Sequence, residues 1–123
     1  MDNENSLECL FCERIQRGDF DEEREGCVVF SPKDPVTLGH VVVAPRTHIR
    51  DVTEQPHLSA ALMYFACELV KRLAVEEWEQ PNAHILANIG PLARQTVWHA
   101  HLHVIPRHHE DGLPVPLFAQ GGA

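Results

Sequence analysis

Residues 97–107, VWHAHLHVIPR, decide the fold of this chain. A period of two is typical of a strand with one polar face and one buried face. Three histidines alternate here with three apolar residues, namely His99, His101 and His103 with Ala100, Leu102 and Val104. The histidines are therefore expected on one face of a strand that ends at Pro106, spaced about 6.6 to 6.8 Å apart. The apolar face is expected to pack against a helix.

The other segments complete a predicted α+β fold with a mostly antiparallel sheet. Buried strands are expected at 27–31 (CVVFS), 40–45 (HVVVAP) and 82–90 (NAHILANIG). Apolar residues at three- and four-residue steps predict one long helix over about Pro56 to Trp78. A turn and a short helix are expected in 9–18 (CLFCERIQRG), and the acidic segment 19–26 is interpreted as a solvated connection.

Composition and charge narrow the possible function classes. The 123 residues are 44% hydrophobic and 23% charged, which is ordinary for one soluble domain. The formal net charge of −8 argues against nonspecific nucleic-acid binding, because such binding needs a basic surface. The apolar runs are too short to span a bilayer, and the start MDNENSLE carries no secretory signal. We therefore expect a cytoplasmic protein with neither a nucleic-acid nor a membrane partner.

The four cysteines favour a metal or redox pair over disulfides. Cys9 and Cys12 form a C-x-x-C, whose spacing lets two thiolates occupy adjacent corners of a tetrahedron. A thioredoxin-type redox pair is the alternative, but the βαβ pattern that usually accompanies it is absent from the sequence. Cys27 and Cys67 stand alone and are interpreted as ordinary buried thiols.

The histidine motif and its flanks resemble the histidine triad (HIT) family of nucleotide hydrolases and transferases. The similarity is carried, in family order, by 8–19 (ECLFCERIQRGD), 34–54 (DPVTLGHVVVAPRTHIRDVTE) and 87–107 (ANIGPLARQTVWHAHLHVIPR). The segment IPRHHEDGL is most similar to the bacterial branch. The resemblance implies a HIT domain over 8–112, with a flexible tail at 1–7 and an extended tail at 113–123. It also implies a five-stranded sheet, one long helix and a short N-terminal helix, and a homodimer that joins two sheets.

The resemblance also assigns roles to individual residues. His101 is implied to attack the α-phosphorus of a nucleotide, giving a nucleotidyl-histidine intermediate that water hydrolyses. His103 and His40 are implied to neutralise the phosphoryl oxygens or to hold the tautomer of the nucleophile. The residues implied to contact the nucleotide or its phosphates are Asn88, Gln95 and Thr96, and Asp34 is a candidate for the ribose side.

A structural zinc ion is a further implication of the resemblance. Some relatives, and the related hexose-1-phosphate uridylyltransferases, complete a zinc site with two distant histidines. The corresponding set in this chain is Cys9, Cys12, His48 and His99. Two thiolates and two imidazoles leave no open position, so such a zinc would be structural.

Two positions depart from the family pattern and bear on the substrate. Pro32 stands where relatives carry an Asp or Asn that binds the ribose, and Arg94 stands where they carry a glycine. The arginine either crowds the loop or adds a positive fork for a second phosphate. Two alternatives to an enzyme therefore stay open: a nucleotide-binding module without turnover, and a zinc-stabilised interaction protein.

Overall fold

The chain folds into one five-stranded antiparallel sheet with two helices. The computed structural model describes residues 8–73 and 81–114, so the expected tail at 1–7 and residues 115–123 of the expected tail at 113–123 lie outside the described residues. The elements are α1 (Leu10–Gln16), β1 (Glu22–Arg24), β2 (Cys27–Phe30), β3 (Val41–Pro45), α2 (Pro56–Lys71), β4 (Ala83–Leu86) and β5 (Leu102–Pro106). The predicted α+β class is confirmed.

The strand order β1-β2-β3-β5-β4 places the histidine strand inside the sheet. β5 pairs antiparallel with β3 on one side and with β4 on the other. His103 lies opposite Val42 of β3 and opposite Leu86 of β4. The last histidine of the motif is therefore held by a hydrogen-bonded neighbour on each side.

The two faces of the sheet carry separate cores, one under each helix. Helix α2 covers the face built from Cys27, Val29, Val43, Leu102 and Val104. Helix α1 covers the opposite face, where its apolar residues pack against Val28, Phe30, Val42 and Ala44. The alternation along β5 thus puts Leu102 and Val104 under the long helix, as the period of two predicts, and leaves His103 on the side of α1.

Three predicted boundaries differ from the structure by more than one residue. Helix α2 ends at Lys71, with Arg72 at its C-cap, and residues 74–80 lie outside the described residues. β5 begins only at Leu102, because the backbone before it turns away from the ladder: the Ala100 amide donates to the carbonyl of Ile49. β4 ends at Leu86, four residues before the end of the segment expected to form it.

One strand was missed by the sequence pattern. β1 lies in the acidic segment interpreted as a solvated connection, and it pairs with β2 through the register Glu22↔Val29 to Arg24↔Cys27. A strand with charged side chains can form here because an edge strand pairs through its backbone while its side chains remain in solvent. None of the helices in residues 8–73 and 81–114 has the length and apolarity needed to cross a bilayer.

Candidate active site and metal cluster

The turn at Gly39 places His40 next to the histidines of the motif. Gly39 has φ +90°, in the region that favours glycine, and a Cβ there would lie 3.3 Å from Cγ of Pro106. The turn therefore fits tightly against the end of β5. His40 follows it directly and is only 7% exposed, and its Nε2 lies 3.0 Å from Nδ1 of His103.

The backbone fixes which nitrogen of His40 and of His103 carries the proton. The Val36 amide donates to Nδ1 of His40 at 3.1 Å, so this nitrogen is an acceptor without a hydrogen. The neutral ring then carries its hydrogen on Nε2 and donates it to Nδ1 of His103. His103 consequently carries its own hydrogen on Nε2. The pair leaves one N–H donor on the half-buried ring of His103.

The tautomer of His101 is fixed in the opposite sense. Its Nδ1 lies 2.7 Å from the carbonyl oxygen of His99, which can only accept, so Nδ1 carries the hydrogen. The lone pair of Nε2 is therefore free to act as a nucleophile. The ring of Phe11 meets the His101 ring edge-on at a centroid distance of 5.0 Å and keeps that side of it dry.

Burial keeps these histidines neutral. Desolvation lowers the pKa of His40 and of His101 below the ordinary value. Desolvation, assisted by the neighbouring imidazoles, lowers the pKa of His103 to about 4. At pH 7 the cluster is therefore a set of neutral imidazoles, and hydrogen bonds to the backbone determine which nitrogen of each ring carries the hydrogen.

We predict that His103 makes the fold sensitive to acid. With a pKa near 6.5 in the unfolded chain and about 4 in the folded protein, the unfolded chain binds the proton more strongly between these values. The contribution of His103 to stability is therefore present above pH 6.5 and is lost as the pH falls toward 4. The urea midpoint of the wild-type protein should fall more between pH 7 and pH 5 than that of His103→Asn.

Asparagine suits this comparison because its side-chain oxygen can still accept from Nε2 of His40 while it does not titrate. The matched control is His57→Asn, at an exposed position near the start of α2, which should keep the wild-type pH dependence. An equal fall of the midpoint in the wild type and in His103→Asn would contradict the prediction.

Beside this cluster, two cysteines and two histidines form a compact metal-ligand set. The ligand atoms of Cys9, Cys12, His48 and His99 all lie within 4.8 Å of one another. The distances between sulfur and Nδ1 are 3.3 Å for Cys9 and His99, and 3.3 Å for Cys12 and His48. A tetrahedral zinc ion with a Zn–S distance of about 2.3 Å and a Zn–N distance of about 2.0 Å separates such ligands by about 3.5 Å. The four residues therefore fit a tetrahedral zinc ion.

The chemistry of the donors agrees with this fit. Nε2 of His99 donates to the carbonyl oxygen of Pro45 at 2.7 Å, so the lone pair of Nδ1 points to the sulfurs. Burial lowers the pKa of His99 to about 4, which keeps this lone pair free. Burial and the neighbouring Cys9 raise the pKa of the Cys12 thiol to about 12. A cation is therefore needed to hold the Cys12 sulfur as a thiolate.

The remaining cysteines lie away from this set. Cys27 is buried in the core beneath α2, and burial raises the pKa of its thiol. Cys67 is exposed on α2. The expectation of a buried thiol is confirmed for Cys27 and is wrong for Cys67, which lies on the solvent side of α2.

The segment before the histidine motif forms a tight loop. The loop, residues 90–95, contains a 3₁₀ turn at Pro91–Ala93 and closes where the Gln95 amide donates to the carbonyl of Gly90. Asn88 lies two residues after β4, beyond the last pair Leu86↔His103 of the β4–β5 ladder, in the segment that leads into the loop. The loop therefore connects the end of β4 to the histidine segment.

The other predicted nucleotide contacts are placed unevenly. Thr96 is exposed directly after the loop, and Asp34 is exposed in the segment leading to His40. Arg94 is exposed and has φ +69°, a backbone conformation that glycine adopts more easily. The resemblance implies a phosphate contact for Gln95, and in the free protein its side chain is buried and bonded to the backbone.

Two contributors to the site escaped the sequence interpretation. Phe11 packs on the rings of both His99 and His101, although its position between two cysteines suggests only core packing. The Val36 amide sets the tautomer of His40 through a backbone bond. For Phe11, the only signal in the sequence is an aromatic residue inside the C-x-x-C.

Comparison with known proteins shows likeness along most of the chain. The family model of the HIT domain matches residues 20–110. Protein Hit of Bacillus subtilis is 36% identical over 104 residues, which cover 81% of this chain and 71% of that protein. Adenosine 5'-monophosphoramidase of Schizosaccharomyces pombe is 30% identical over 115 residues, covering 89% and 82% respectively. The crystal structure of a zinc-bound histidine triad family protein from Mycobacterium smegmatis matches with a TM-score of 0.76 at 32% identity, covering 89% and 82%.

Proposed function

Because the chain belongs to the HIT domain family, we propose that it is a nucleotide hydrolase or transferase acting on the α-phosphate of its substrate. The observation that carries the proposal is the tautomer of His101, whose Nδ1–H is bonded to a carbonyl while its Nε2 lone pair is free. The name of the Schizosaccharomyces pombe relative, a monophosphoramidase, supports this reaction class. Nucleoside phosphoramidates and dinucleoside polyphosphates are the proposed substrates.

In the proposed first step, Nε2 of His101 attacks the α-phosphorus. An N–P bond forms, the bond from phosphorus to the leaving amine or phosphate breaks, and its electron pair leaves with that group. A leaving amine takes up a proton from solvent, and the attacking water of the second step returns one. A nucleotidyl-histidine results. In the second step water attacks the same phosphorus, the N–P bond breaks, and nucleoside monophosphate and neutral His101 are released. Two displacements replace one difficult direct hydrolysis.

His103 and His40 are proposed to stabilise the negative charge of the phosphoryl oxygens during the reaction. The N–H on Nε2 of His103 is a donor for a phosphoryl oxygen, and His40 fixes that donor by bonding to the other nitrogen of the ring. Asn88, Thr96 and Asp34 are the proposed contacts to the rest of the nucleotide.

Zinc is proposed as a structural ion held by Cys9, Cys12, His48 and His99. When bound, it supplies a closed tetrahedral crosslink and no Lewis-acid chemistry, because all four positions are taken by protein ligands. Two of the ligands come from the start of α1, whose Phe11 packs on His101. The crosslink would therefore keep that ring in place against the nucleophile.

The homodimer implied by the resemblance stays a proposal. β4 is an edge strand of the sheet, and all four of its residues are half-buried in the single chain. An edge with unpaired backbone groups can pair with a second copy.

The proposal is tested with two substrates that share a nucleoside monophosphate, adenosine 5'-phosphoramidate and a diadenosine polyphosphate. We expect release of AMP from at least one, measured by chromatography, with the adduct on His101 detected by mass spectrometry of the quenched enzyme. Binding of AMP by calorimetry without any turnover would indicate a nucleotide-binding module. The absence of binding would leave only the zinc-stabilised interaction protein.

A further inference from the structure

The side chain of Gln95 connects three separate backbone segments around the site. It is only 5% exposed. Its Oε1 accepts from the amide of Gly90 at 2.9 Å, and its Nε2 donates to the carbonyls of Arg50 at 2.8 Å and Val97 at 3.1 Å. The orientation of the amide is fixed by these partners, because the Gly90 amide can only donate and the two carbonyls can only accept.

These bonds leave the side chain without a donor for an anion. A glutamine amide has two N–H hydrogens, and both are directed at backbone carbonyls. The lone pair that remains on Oε1 would repel a phosphate oxygen. Gln95 therefore cannot donate to a phosphate without giving up one of its bonds to a backbone carbonyl.

The three connected segments are functionally distinct. Gly90 begins the loop 90–95, Val97 begins the histidine motif, and Arg50 lies two residues after His48 of the metal-ligand set. The carbonyl of Ile49, next to Arg50, accepts from the amide of Ala100 in the motif. The turn that carries His48 is thus bonded both to the loop and to the histidine segment.

The loop needs such support because Arg94 is in a strained backbone conformation. Its φ of +69° lies in the left-handed region that residues other than glycine rarely adopt. Such a conformation persists when the surrounding contacts over-determine it. Gln95 follows Arg94 directly and bonds both its main chain and its side chain to Gly90.

We propose that Gln95 is a positioning residue that locks the loop 90–95 to the turn of His48 and so presets the loop for the substrate phosphates. The proposal rests on the proposed nucleotide reaction for its kinetic part, but not for its structural part. Without the lock, the substrate must order the loop when it binds. The free-energy cost of this ordering weakens substrate binding, so it raises KM more than it lowers kcat.

The test is Gln95→Met, which keeps the length of the side chain and removes all three bonds. We expect KM for adenosine 5'-phosphoramidate to rise about 10-fold or more, equivalent to about 1.4 kcal/mol, with kcat changed by less than about threefold. In the protein without substrate, hydrogen exchange at the Gly90 amide should become about 10-fold faster or more. The matched control is Gln16→Met on the exposed side of α1, which should change neither quantity.

The outcomes separate the two proposals. Exchange at Gly90 that stays slow in Gln95→Met overturns the lock, whether or not the protein is an enzyme. A fall in kcat with unchanged KM and unchanged exchange overturns it in favour of a direct phosphate contact. If the wild type shows no turnover, the proposed function fails while faster exchange in the variant still supports the lock.

Discussion

Replacement of His101 by alanine is expected to reduce nucleoside monophosphate release by about 1,000-fold or more, because the substitution removes the atom that forms the covalent intermediate. The hydrogen bond from Nδ1 to the carbonyl of His99 holds the His101 ring in one orientation. The neighbouring histidines, His40 and His103, cannot take its place. Nε2 of His40 is occupied by its hydrogen and by His103. The nucleotidyl adduct should disappear together with turnover.

The experiment requires proof that the variant still folds and binds. We expect His101→Ala to bind AMP with an affinity within about 10-fold of the wild type, since His103 and the loop still face the phosphate. His57→Ala, at the exposed start of α2, is the matched control and should keep full activity. Wild-type rates of AMP release by His101→Ala would refute the covalent mechanism.

The sequence predicts those parts of the fold that depend on local alternation. The period of two assigns Leu102 and Val104 to one face and His103 to the other, and this assignment is confirmed. It fails for the start of the strand, because His99 and His101 bond to backbone carbonyls and the chain bends before Leu102. Side-chain bonds to distant backbone atoms leave no periodic trace.

The metal-ligand set illustrates a different limit. The spacing of Cys9 and Cys12 suggests a pair of ligands, but only the family resemblance selects His48 and His99 among nine histidines. The structure brings all four together. The environment of the neighbouring His101 was not predictable at all, because Phe11 reaches it across 90 positions of the chain.

Gln95 illustrates how a role implied by a family resemblance differs from the contacts that a side chain makes in the free protein. The resemblance implies a contact from this side chain to phosphate. Its partners are backbone atoms, one of them 45 residues away. Backbone carbonyls have no residue identity, so the sequence carries no signal for such a bond.

Replacement of Cys9 by serine is expected to remove the metal and to destabilise the whole domain. Cys9 is 1% exposed, and its sulfur faces Nδ1 of His99, which is fully buried. Binding of structural zinc contributes directly to folding, so loss of a thiolate ligand should lower Tm by about 10 °C or more. Metal content measured on purified protein should fall from one zinc per chain toward zero.

The matched control for this experiment is Cys67→Ser, because Cys67 is exposed on α2 and lies outside the metal-ligand set. It should keep one zinc per chain and the wild-type Tm. Chelation of the wild-type protein should reproduce the loss of stability seen in Cys9→Ser. Retention of a full zinc by Cys9→Ser would exclude the four-ligand site, because three remaining ligands do not close a structural tetrahedron.

Because Phe11 follows Cys9 by two residues and packs on His101, the same substitution should also reduce turnover, although Cys9 contacts neither the substrate nor the proposed nucleophile.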